Sequence, residues 1–198
     1  MNFFAPVTLH CAQLYDHENL VLAFKEHKKS VMVWGCFYGD TLGPLEYMYF
    51  PAGSINSDGY MNLLEKTLLP LIDEEDGLIE NLLGSRNLTL QQDNAPIHTS
   101  RKTTRFMQQN GIRTISWPAN SPGLNPNEHL WHLLKRLTWR TWARQRNALN
   151  KTVTTEDFET LVKEAWVSTD PAHLRSLVES MPRRIEAVIS AKGGHTKY

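Results

Sequence analysis

The segment from residue 87 to residue 117 constrains the fold more than any other part of the chain. It begins with NLTLQQ (87–92), which is typical of a short strand. It continues through a basic stretch from His98 to Gln109 that is typical of a helix, and it ends with IRTISW after Asn110-Gly111. A strand, a helix and a second strand in this order predict a right-handed parallel crossover. The chain is therefore expected to form a mixed α/β sheet flanked by helices.

The residues before the crossover predict a hairpin that joins the same sheet. SVMVWGCFY (30–38) is apolar and rich in β-forming side chains, which indicates a buried strand. Gly39-Asp40 predicts a turn, and LEYMYF (45–50) predicts the returning strand. Helices are predicted for the other periodic segments, at 58–72 with Asn56 or Ser57 as cap, from 128 to about 140, at 155–167 and at 171–191.

The size and composition of the chain favour one domain with its own core. It has 198 residues, 41% of them hydrophobic, and no linker-like segment, so residues 1–198 are predicted to form a single domain. No apolar run approaches the ~18 residues of a membrane helix, and no membrane partner is expected. MNFFAPVTLH lacks the pattern of a secretory signal, and two cysteines, Cys11 and Cys36, fit a reducing compartment.

The charge is distributed unevenly along the chain. Residues 1–85 carry 4 basic and 12 acidic side chains, whereas residues 86–198 carry 17 basic and 9 acidic ones, although the whole chain has a net charge of zero. Such an asymmetry suggests that the second half faces a polyanion. A solvated helical surface is the alternative that charge alone leaves open.

Several common catalytic patterns are missing from the sequence. There is no glycine-rich phosphate loop, no nucleophile-elbow serine and no Cys-x-x-Cys pair. Glu128-His129-Leu130-Trp131-His132 resembles a zinc helix only faintly, because the two histidines are three residues apart and no third ligand is evident. A position on the flank of a helix is the favoured interpretation of both histidines.

Two carboxylates remain in positions that could bind a divalent cation. Asp93 ends a predicted strand in QQDNAPIH, and Glu128 opens a predicted helix after SPGLNPN. Carboxylates at such places can converge and hold a divalent cation through oxygen ligands. Each also has a structural alternative: Asp93 would be an ordinary turn residue, and Glu128 would complete a capping box with Asn125 as the cap and Pro126 at the first helical position.

A family resemblance favours the catalytic interpretation. Residues 17–198 resemble the catalytic domain of Tc/mariner-type transposases. The resemblance lies in the segments VMVWGCF, QQDNAPIHTS, WPANSPGLNPNEHLWHLLKR and SMPRRIEAVISAKGGHTKY. In that family an Asp-Asp-Glu triad lies on a ribonuclease-H-like fold. The second Asp belongs to a motif like Asp-Asn-x-x-x-His, and the Glu to one like Ser-Pro-x-Leu-Asn-Pro-x-Glu. In this chain residues 94–127 separate Asp93 from Glu128, and this is the spacing between the two motifs in this branch of the family.

The resemblance implies DNA strand cleavage and transfer, with Asp93 and Glu128 as catalytic residues and ligands of Mg²⁺ or Mn²⁺. The implied partners are DNA, as transposon ends and target, and the arrangement is compatible with a homodimer. The implied location is the nucleus. Basic residues after the two motifs are expected to neutralise DNA phosphates, the alternative for each being a solvated helical face. These candidate DNA contacts are His98, Arg101, Lys102, Arg105, Lys135 and Arg136, followed by Arg140, Arg144 and Arg146. Trp131, Trp139, Trp142 and Trp166 are expected in the core.

The chain departs from the family pattern at the first Asp. The family places that residue on the first strand, and nothing here matches its Asp-Glu-Ser context; Asp16 lies too close to Ser30, where the next predicted strand begins, for the family spacing. The first strand is therefore expected to be missing or replaced by residues 6–15, and catalysis to be impaired. No N-terminal helix-turn-helix domain is expected. A non-catalytic, transposon-derived DNA- or protein-binding module is the alternative.

Two smaller departures lie within the third motif. Gly123 stands where the family often has an Asp, and Asn127 stands where it often has an apolar residue. Neither change removes a catalytic group.

Overall fold

A computed structural model describes residues 8–14, 32–48, 55–73, 89–119, 121–149 and 154–197. The chain divides into two compact units. The first contains residues 1–38 and 43–120, and the second contains residues 39–42 and 121–198. Across the described ranges, no helix has both the length and the apolar character needed to cross a membrane.

A five-stranded mixed sheet organises the first unit. Its strands are β1 (Thr8–Leu14), β2 (Met32–Tyr38), β3 (Thr41–Met48), β4 (Thr89–Gln91) and β5 (Arg113–Thr114), in the spatial order β3-β2-β1-β4-β5. β1 is antiparallel to β2 and parallel to β4, and β4 is parallel to β5. The predicted mixed sheet and the parallel pairing of the 87–117 crossover are both confirmed, although β5 is only two residues long.

The segment predicted to replace the missing first strand does so. β1 lies between β2 and β4, with Cys11 opposite Cys36 and Leu9 opposite Leu90. It joins the hairpin to the parallel strands. Leu9 and Cys11 alternate with Thr8 and His10, which is the period-2 pattern of a strand, although Ala12 interrupts it.

The hairpin is confirmed, but its second strand begins earlier than predicted. Gly39 adopts a left-handed φ of 56° in the two-residue turn, a conformation that glycine tolerates and other residues rarely adopt. β3 begins at Thr41 rather than 45, and it includes Gly43-Pro44, which look like loop residues in sequence. A Cβ at position 43 would collide with the Cys36 Sγ atom, so glycine permits the close approach of β3 to β2.

Helix α1 (Ser57–Asp73) covers the sheet as predicted. Asn56 caps it, because its Oδ1 accepts a hydrogen bond from the Gly59 amide at 2.8 Å. Tyr60, Leu64 and Leu68, spaced four residues apart, are completely buried in the core of the first unit.

The basic segment after β4 forms two helices rather than the single predicted one. They are α2 (Pro96–Thr99) and α3 (Arg101–Gln109). Ser100 separates them in an extended conformation, and its Oγ accepts a hydrogen bond from the Thr103 amide at 3.2 Å. A serine that caps a new helix ends the preceding one, which helical periodicity alone does not reveal.

Helices make up the second unit outside the hairpin tip at 39–42. They are α4 (Pro126–Leu149), α5 (Thr155–Val167), α6 (Pro171–Glu179) and α7 (Met181–Ser190), and a 3₁₀ turn (Pro122–Leu124) precedes them. α4 continues to Leu149, well beyond the predicted end at 140. The single helix predicted at 171–191 breaks at Ser180, which closes α6 and precedes Pro182 of α7.

Tryptophans form much of the core of the second unit. Trp131 and Trp166 are buried and stacked, with ring centroids 5.6 Å apart. Trp142 is also buried, as predicted. Trp139, however, is 46% exposed and stacks on Trp142 with a centroid distance of 4.7 Å, so its predicted place in the core was wrong.

Asn127 is an unfavourable buried residue in the first turn of α4. It is completely buried, and neither its Oδ1 nor its Nδ2 has a hydrogen-bond partner within the described residues. A buried polar group without a partner costs roughly 1–3 kcal/mol. We expect Asn127→Leu, which has a similar shape, to raise the free energy of unfolding by about 1–3 kcal/mol, measured by urea denaturation.

Gln145→Leu provides the control for this substitution. Gln145 is exposed on the same helix, so the change should alter stability by less than ~0.5 kcal/mol. An Asn127→Leu protein that is no more stable than the parent chain would contradict the argument.

Candidate functional site

Asp93 lies at the carboxyl end of β4, where the chain turns toward α2. Its Oδ1 accepts a hydrogen bond from the Ala95 amide at 3.0 Å, so the residue does form the turn that its structural alternative predicted. Its side chain is nevertheless 59% exposed. The turn therefore fixes the carboxylate and leaves it accessible.

His98, in the short helix α2, holds the same carboxylate. Its Nδ1 lies 2.7 Å from Asp93 Oδ1 and 3.2 Å from the Asp93 carbonyl oxygen. Both partners are acceptors, so Nδ1 carries the hydrogen and donates it. The imidazole is buried, and its Nε2 has no hydrogen-bond partner among the described residues.

Helix α1 packs against this pair through Tyr60. The ring of Tyr60 lies 4.6 Å from that of His98, centroid to centroid, at 45°. The Tyr60 hydroxyl donates a hydrogen bond of 2.6 Å to Gln92 Oε1, immediately before Asp93. The buried core of the first unit thus extends to the turn at Asp93 (residues 93–95), which is called the acidic turn below.

These contacts favour the ionised form of Asp93. The hydrogen bond from His98 lowers the pKa of the Asp93 carboxyl below its usual range; burial opposes this effect, and the Ala95 amide and the charge of His98 add to it. Both donors bind Oδ1, and Oδ2 accepts no hydrogen bond in the described structure. The site therefore presents one open, anionic oxygen, which is the kind of ligand that Mg²⁺ and Mn²⁺ prefer.

Asn94, which follows Asp93 in the motif, links the turn to the far side of the crossover. Its Nδ2 donates to the Trp117 carbonyl at 2.7 Å. This bond ties the end of β4 to the chain beyond β5. It explains structurally why an Asn suits that position of the motif.

Glu128 occupies the first turn of α4 in the second unit. Asn125 caps this helix, because its Oδ1 accepts from the Asn127 amide at 3.1 Å and its carbonyl accepts from the Glu128 amide at 3.2 Å. Asp93 belongs to the first unit and Glu128 to the second. The predicted pairing of the two carboxylates therefore stays a prediction.

Arg184, in α7, fixes the loop that leads to Glu128, and the sequence analysis missed it. It is 3% exposed; its Nη1 donates to the Gly123 carbonyl at 2.8 Å and its Nε to Ser180 Oγ at 2.7 Å. Nothing in SMPRRIEA distinguishes it from its exposed neighbour Arg183. Only the packing of α7 shows which arginine is buried.

His129 and His132 lie on α4 beside Glu128. The Nδ1 of His132 donates to the Glu128 carbonyl at 2.6 Å. Burial, with the charges of Arg184, His132 and His173, lowers the pKa of His129. Among the residues that the structure describes, no three His, Cys, Asp or Glu side chains form a group that could hold a metal.

The basic residues differ in how free they are to meet DNA. Arg101 and Arg105 are exposed, whereas Lys102 places its Nζ 2.9 Å from both carboxylate oxygens of Asp58. Lys135 is half-buried, and Arg136 is exposed on α4. The burial of His98 and its bond to Asp93 do not fit a phosphate contact, so its position does not support that prediction.

The arginines further along α4 form an exposed row. Arg136, Arg140 and Arg144 follow one another at four-residue spacing, and all three are exposed. The side chain of Arg146 lies outside the described part of the chain. The roles of all these residues in DNA binding stay predictions.

The strand that would carry the first catalytic Asp contains no acidic residue. β1 pairs His10 with Gln91, and continuing this parallel register by two residues brings Ala12 level with Asp93. Asp16, which lies too close to Ser30 for the family spacing, falls outside the described residues. β1 thus supplies a strand next to Asp93 but no carboxylate.

Comparisons with known proteins agree with this fold and these motifs. Residues 46–150 match the model of the DDE superfamily endonuclease family. The Tcb1 transposase of Caenorhabditis briggsae is 37% identical over 169 residues, and the Tc1 transposase of Caenorhabditis elegans is 36% identical over 169 residues. Each alignment covers 85% of this chain but 55% of the relative. The chain therefore spans about half the length of these relatives.

Solved structures show the same fold at lower identity. A structure of the Mos1 transposase catalytic domain with raltegravir and Mn superposes with a TM-score of 0.67 at 18% identity, covering 98% of this chain and 86% of that one. A crystal structure of the mariner Mos1 paired-end complex with Mg superposes with a TM-score of 0.66 at 16% identity, covering 99% of this chain and 58% of that one. The ribonuclease-H-like architecture expected from the sequence is confirmed.

A mixed sheet with an acidic turn at the end of β4, together with the family match, defines the class. The chain belongs to the DDE superfamily endonucleases. Within that class, the relatives confirm the resemblance to the catalytic domain of Tc/mariner-type transposases that the motifs indicated.

Proposed function

We propose that this chain is the catalytic region of a Tc/mariner-like DNA transposase, acting on transposon ends and target DNA. The observation that carries the proposal is the family match over residues 46–150, which includes both Asp93 and Glu128. The family spacing between these two carboxylates, filled here by residues 94–127, supports their assignment as the second Asp and the Glu of the triad. We place the protein in the nucleus, where its DNA would be, and as a homodimer on that DNA.

Asp93 and Glu128 are the residues that would hold a divalent cation, Mg²⁺ or Mn²⁺. The open, anionic Oδ2 of Asp93 fits such an ion, since Mg²⁺ binds through few carboxylates and completes its shell with water and phosphate oxygens. When bound, the ion would stabilise charge on the entering and leaving oxygens of a phosphodiester. Arg101, Arg105 and Arg136 are exposed and would neutralise phosphates along the DNA backbone.

The sequence of β1 favours a second candidate function. This strand occupies the place of the family's catalytic first strand, yet TLHCAQL carries no Asp or Glu. A chain that keeps the fold and the basic surface but lacks one carboxylate would serve as a transposon-derived DNA- or protein-binding module. The two candidates differ in catalysis and agree on the fold.

We expect the 198-residue chain to nick DNA no faster than its Asp93→Ala, Glu128→Ala variant. The reason is that two carboxylates hold at most one of the two metal ions that phosphoryl transfer employs. Cleavage of a labelled duplex with Mg²⁺ or Mn²⁺, at equal protein concentrations, measures the difference.

The same preparations should bind DNA, because the basic side chains are unchanged. Their affinity is expected to fall steeply as salt rises, as phosphate contacts require. Metal-dependent nicking that the double substitution abolishes would contradict the impaired-catalysis proposal and support an active enzyme. Absence of salt-sensitive DNA binding would count against the transposase and against a DNA-binding module, and would leave only the protein-binding module.

A further inference from the structure

A buried histidine in α2, next to the turn at Asp93, has no role in the proposed function. His98 is 6% exposed, and its Nδ1 is occupied by Asp93 Oδ1 at 2.7 Å. Its Nε2 is buried without a partner in the described structure, so neither ring nitrogen is available to a ligand from solvent. Neither a direct DNA contact nor a metal ligand fits this burial.

The hydrogen bonds at Asp93 are divided unequally between its two oxygens. Oδ1 accepts from His98 Nδ1 and from the Ala95 amide at 3.0 Å, which saturates that oxygen and fixes the plane of the carboxylate. Oδ2 receives neither bond and belongs to a side chain that is 59% exposed. A carboxylate held in this way offers a single oxygen in a fixed direction.

We propose that His98 is a positioning residue that holds Asp93 so that Oδ2 alone is presented to a divalent cation. Partners behind a metal ligand orient it and commonly contribute about 10–100-fold to metal affinity. The inference rests on the proposed function, since it takes Asp93 to be a metal ligand. The lowered pKa of Asp93 is consistent with it, because His98 is the largest cause of that lowering.

The core around His98 explains why this histidine keeps one orientation. The Tyr60 ring packs against it at 4.6 Å, and Tyr60 is completely buried. The second bond from Nδ1, to the Asp93 carbonyl at 3.2 Å, ties the same ring to the backbone of the turn. The imidazole therefore has a fixed tautomer as well as a fixed position.

The test compares Mn²⁺ affinity, measured on the full chain by electron paramagnetic resonance of the free ion, across four variants. His98→Leu removes the donor and is expected to weaken Mn²⁺ binding about 10–100-fold. His98→Asn places an amide N–H near the original Nδ1 and should stay within about threefold of the parent chain. Tyr60→Phe removes the hydroxyl bond to Gln92 but keeps the ring against His98 and the bond from His98 to Asp93, so it should also stay within about threefold. Asp93→Ala removes the proposed ligand itself and should show the largest loss of Mn²⁺ affinity.

Thermal unfolding of each variant separates orientation from folding. If His98→Leu fails to fold, the ¹⁵N resonances of the His98 ring in the parent chain and in Asp93→Ala decide the matter. The parent chain should show hydrogen on Nδ1, and Asp93→Ala should shift that resonance. A purely structural role for His98 would not predict this dependence on the carboxylate.

The possible failures are distinguishable. If Asp93→Ala leaves Mn²⁺ affinity unchanged, the metal site of the proposed function is wrong. If Asp93→Ala weakens binding but a folded His98→Leu does not, only the positioning role is overturned. An effect of Tyr60→Phe as large as that of His98→Leu, or a His98→Asn protein as weak as His98→Leu, would likewise overturn it.

Discussion

Deletion of residues 1–14 is expected to abolish cooperative folding of the first unit. β1 pairs with β2 over five residue positions and with β4 over three, so its removal exposes a strand edge on each side of the gap. Each buried backbone group left without a partner costs roughly 1–3 kcal/mol. Several such losses equal the whole ~5–15 kcal/mol that stabilises a typical domain.

Hydrogen exchange on β2 and β4 measures this effect directly. In the full chain the amides of residues 32–38 and 89–91 should be protected together, and in the deletion variant they should exchange freely. Deletion of residues 191–198, which follow the last helix, is the control and should leave that protection unchanged. Strong protection of both strands in a chain without residues 1–14 would show that the sheet tolerates an open centre.

The sheet was predictable because its sequence signals are strong and local. The continuous apolar run of β2, the glycine turn after it and the strand–helix–strand order of residues 87–117 each admit few alternatives. Even the replacement strand could be proposed, since Val7, Leu9 and Cys11 recur at every second position upstream of the hairpin. The position of β1 between β2 and β4 then follows from the need to pair two interior edges.

The ends of elements were harder to predict. Ser100 and Ser180 each interrupt a segment whose apolar spacing suits one continuous helix. A serine is compatible with both a helix interior and a cap, and the choice depends on whether its hydroxyl finds a local backbone partner. Trp139 shows the same limit for burial, because the tertiary packing of α4 decides which side of the helix is buried.

The candidate site divides in the same way between local and tertiary information. The turn at Asp93 and the cap at Asn125 follow from residue types a few positions apart, and both were predicted. The bond from His98 to Asp93 depends on the packing of the His98 ring against Tyr60, which belongs to α1 and is distant in sequence. Burial of Arg184, rather than Arg183, depends on how α7 packs on the loop before Glu128. Such choices require the fold.

Replacement of Arg184 by leucine is expected to destabilise the second unit by about 2–4 kcal/mol, since hydrogen bonds from a charged donor contribute ~1.5–3 kcal/mol each. The Gly123 carbonyl and the Ser180 hydroxyl would lose this donor inside the protein. Urea denaturation measures the change. Arg183→Leu is the matched control, because Arg183 is the exposed neighbour and its replacement should cost less than ~0.5 kcal/mol.

His129 reports on the same substitution through its pKa. Burial lowers that pKa below its ordinary value of 6.5, and the positive charge of Arg184 lowers it further. A group whose pKa is lower in the folded state takes up protons more readily when unfolded, so stability is lost as the pH falls through the window below 6.5. Arg184→Leu should raise the pKa of His129 and make this loss smaller, whereas Arg184→Lys, which keeps the charge, should leave the pKa low. NMR titration of the His129 ring against pH distinguishes the two.

A leucine variant as stable as Arg183→Leu, with an unchanged His129 pKa, would show that Arg184 does not hold the loop before Glu128.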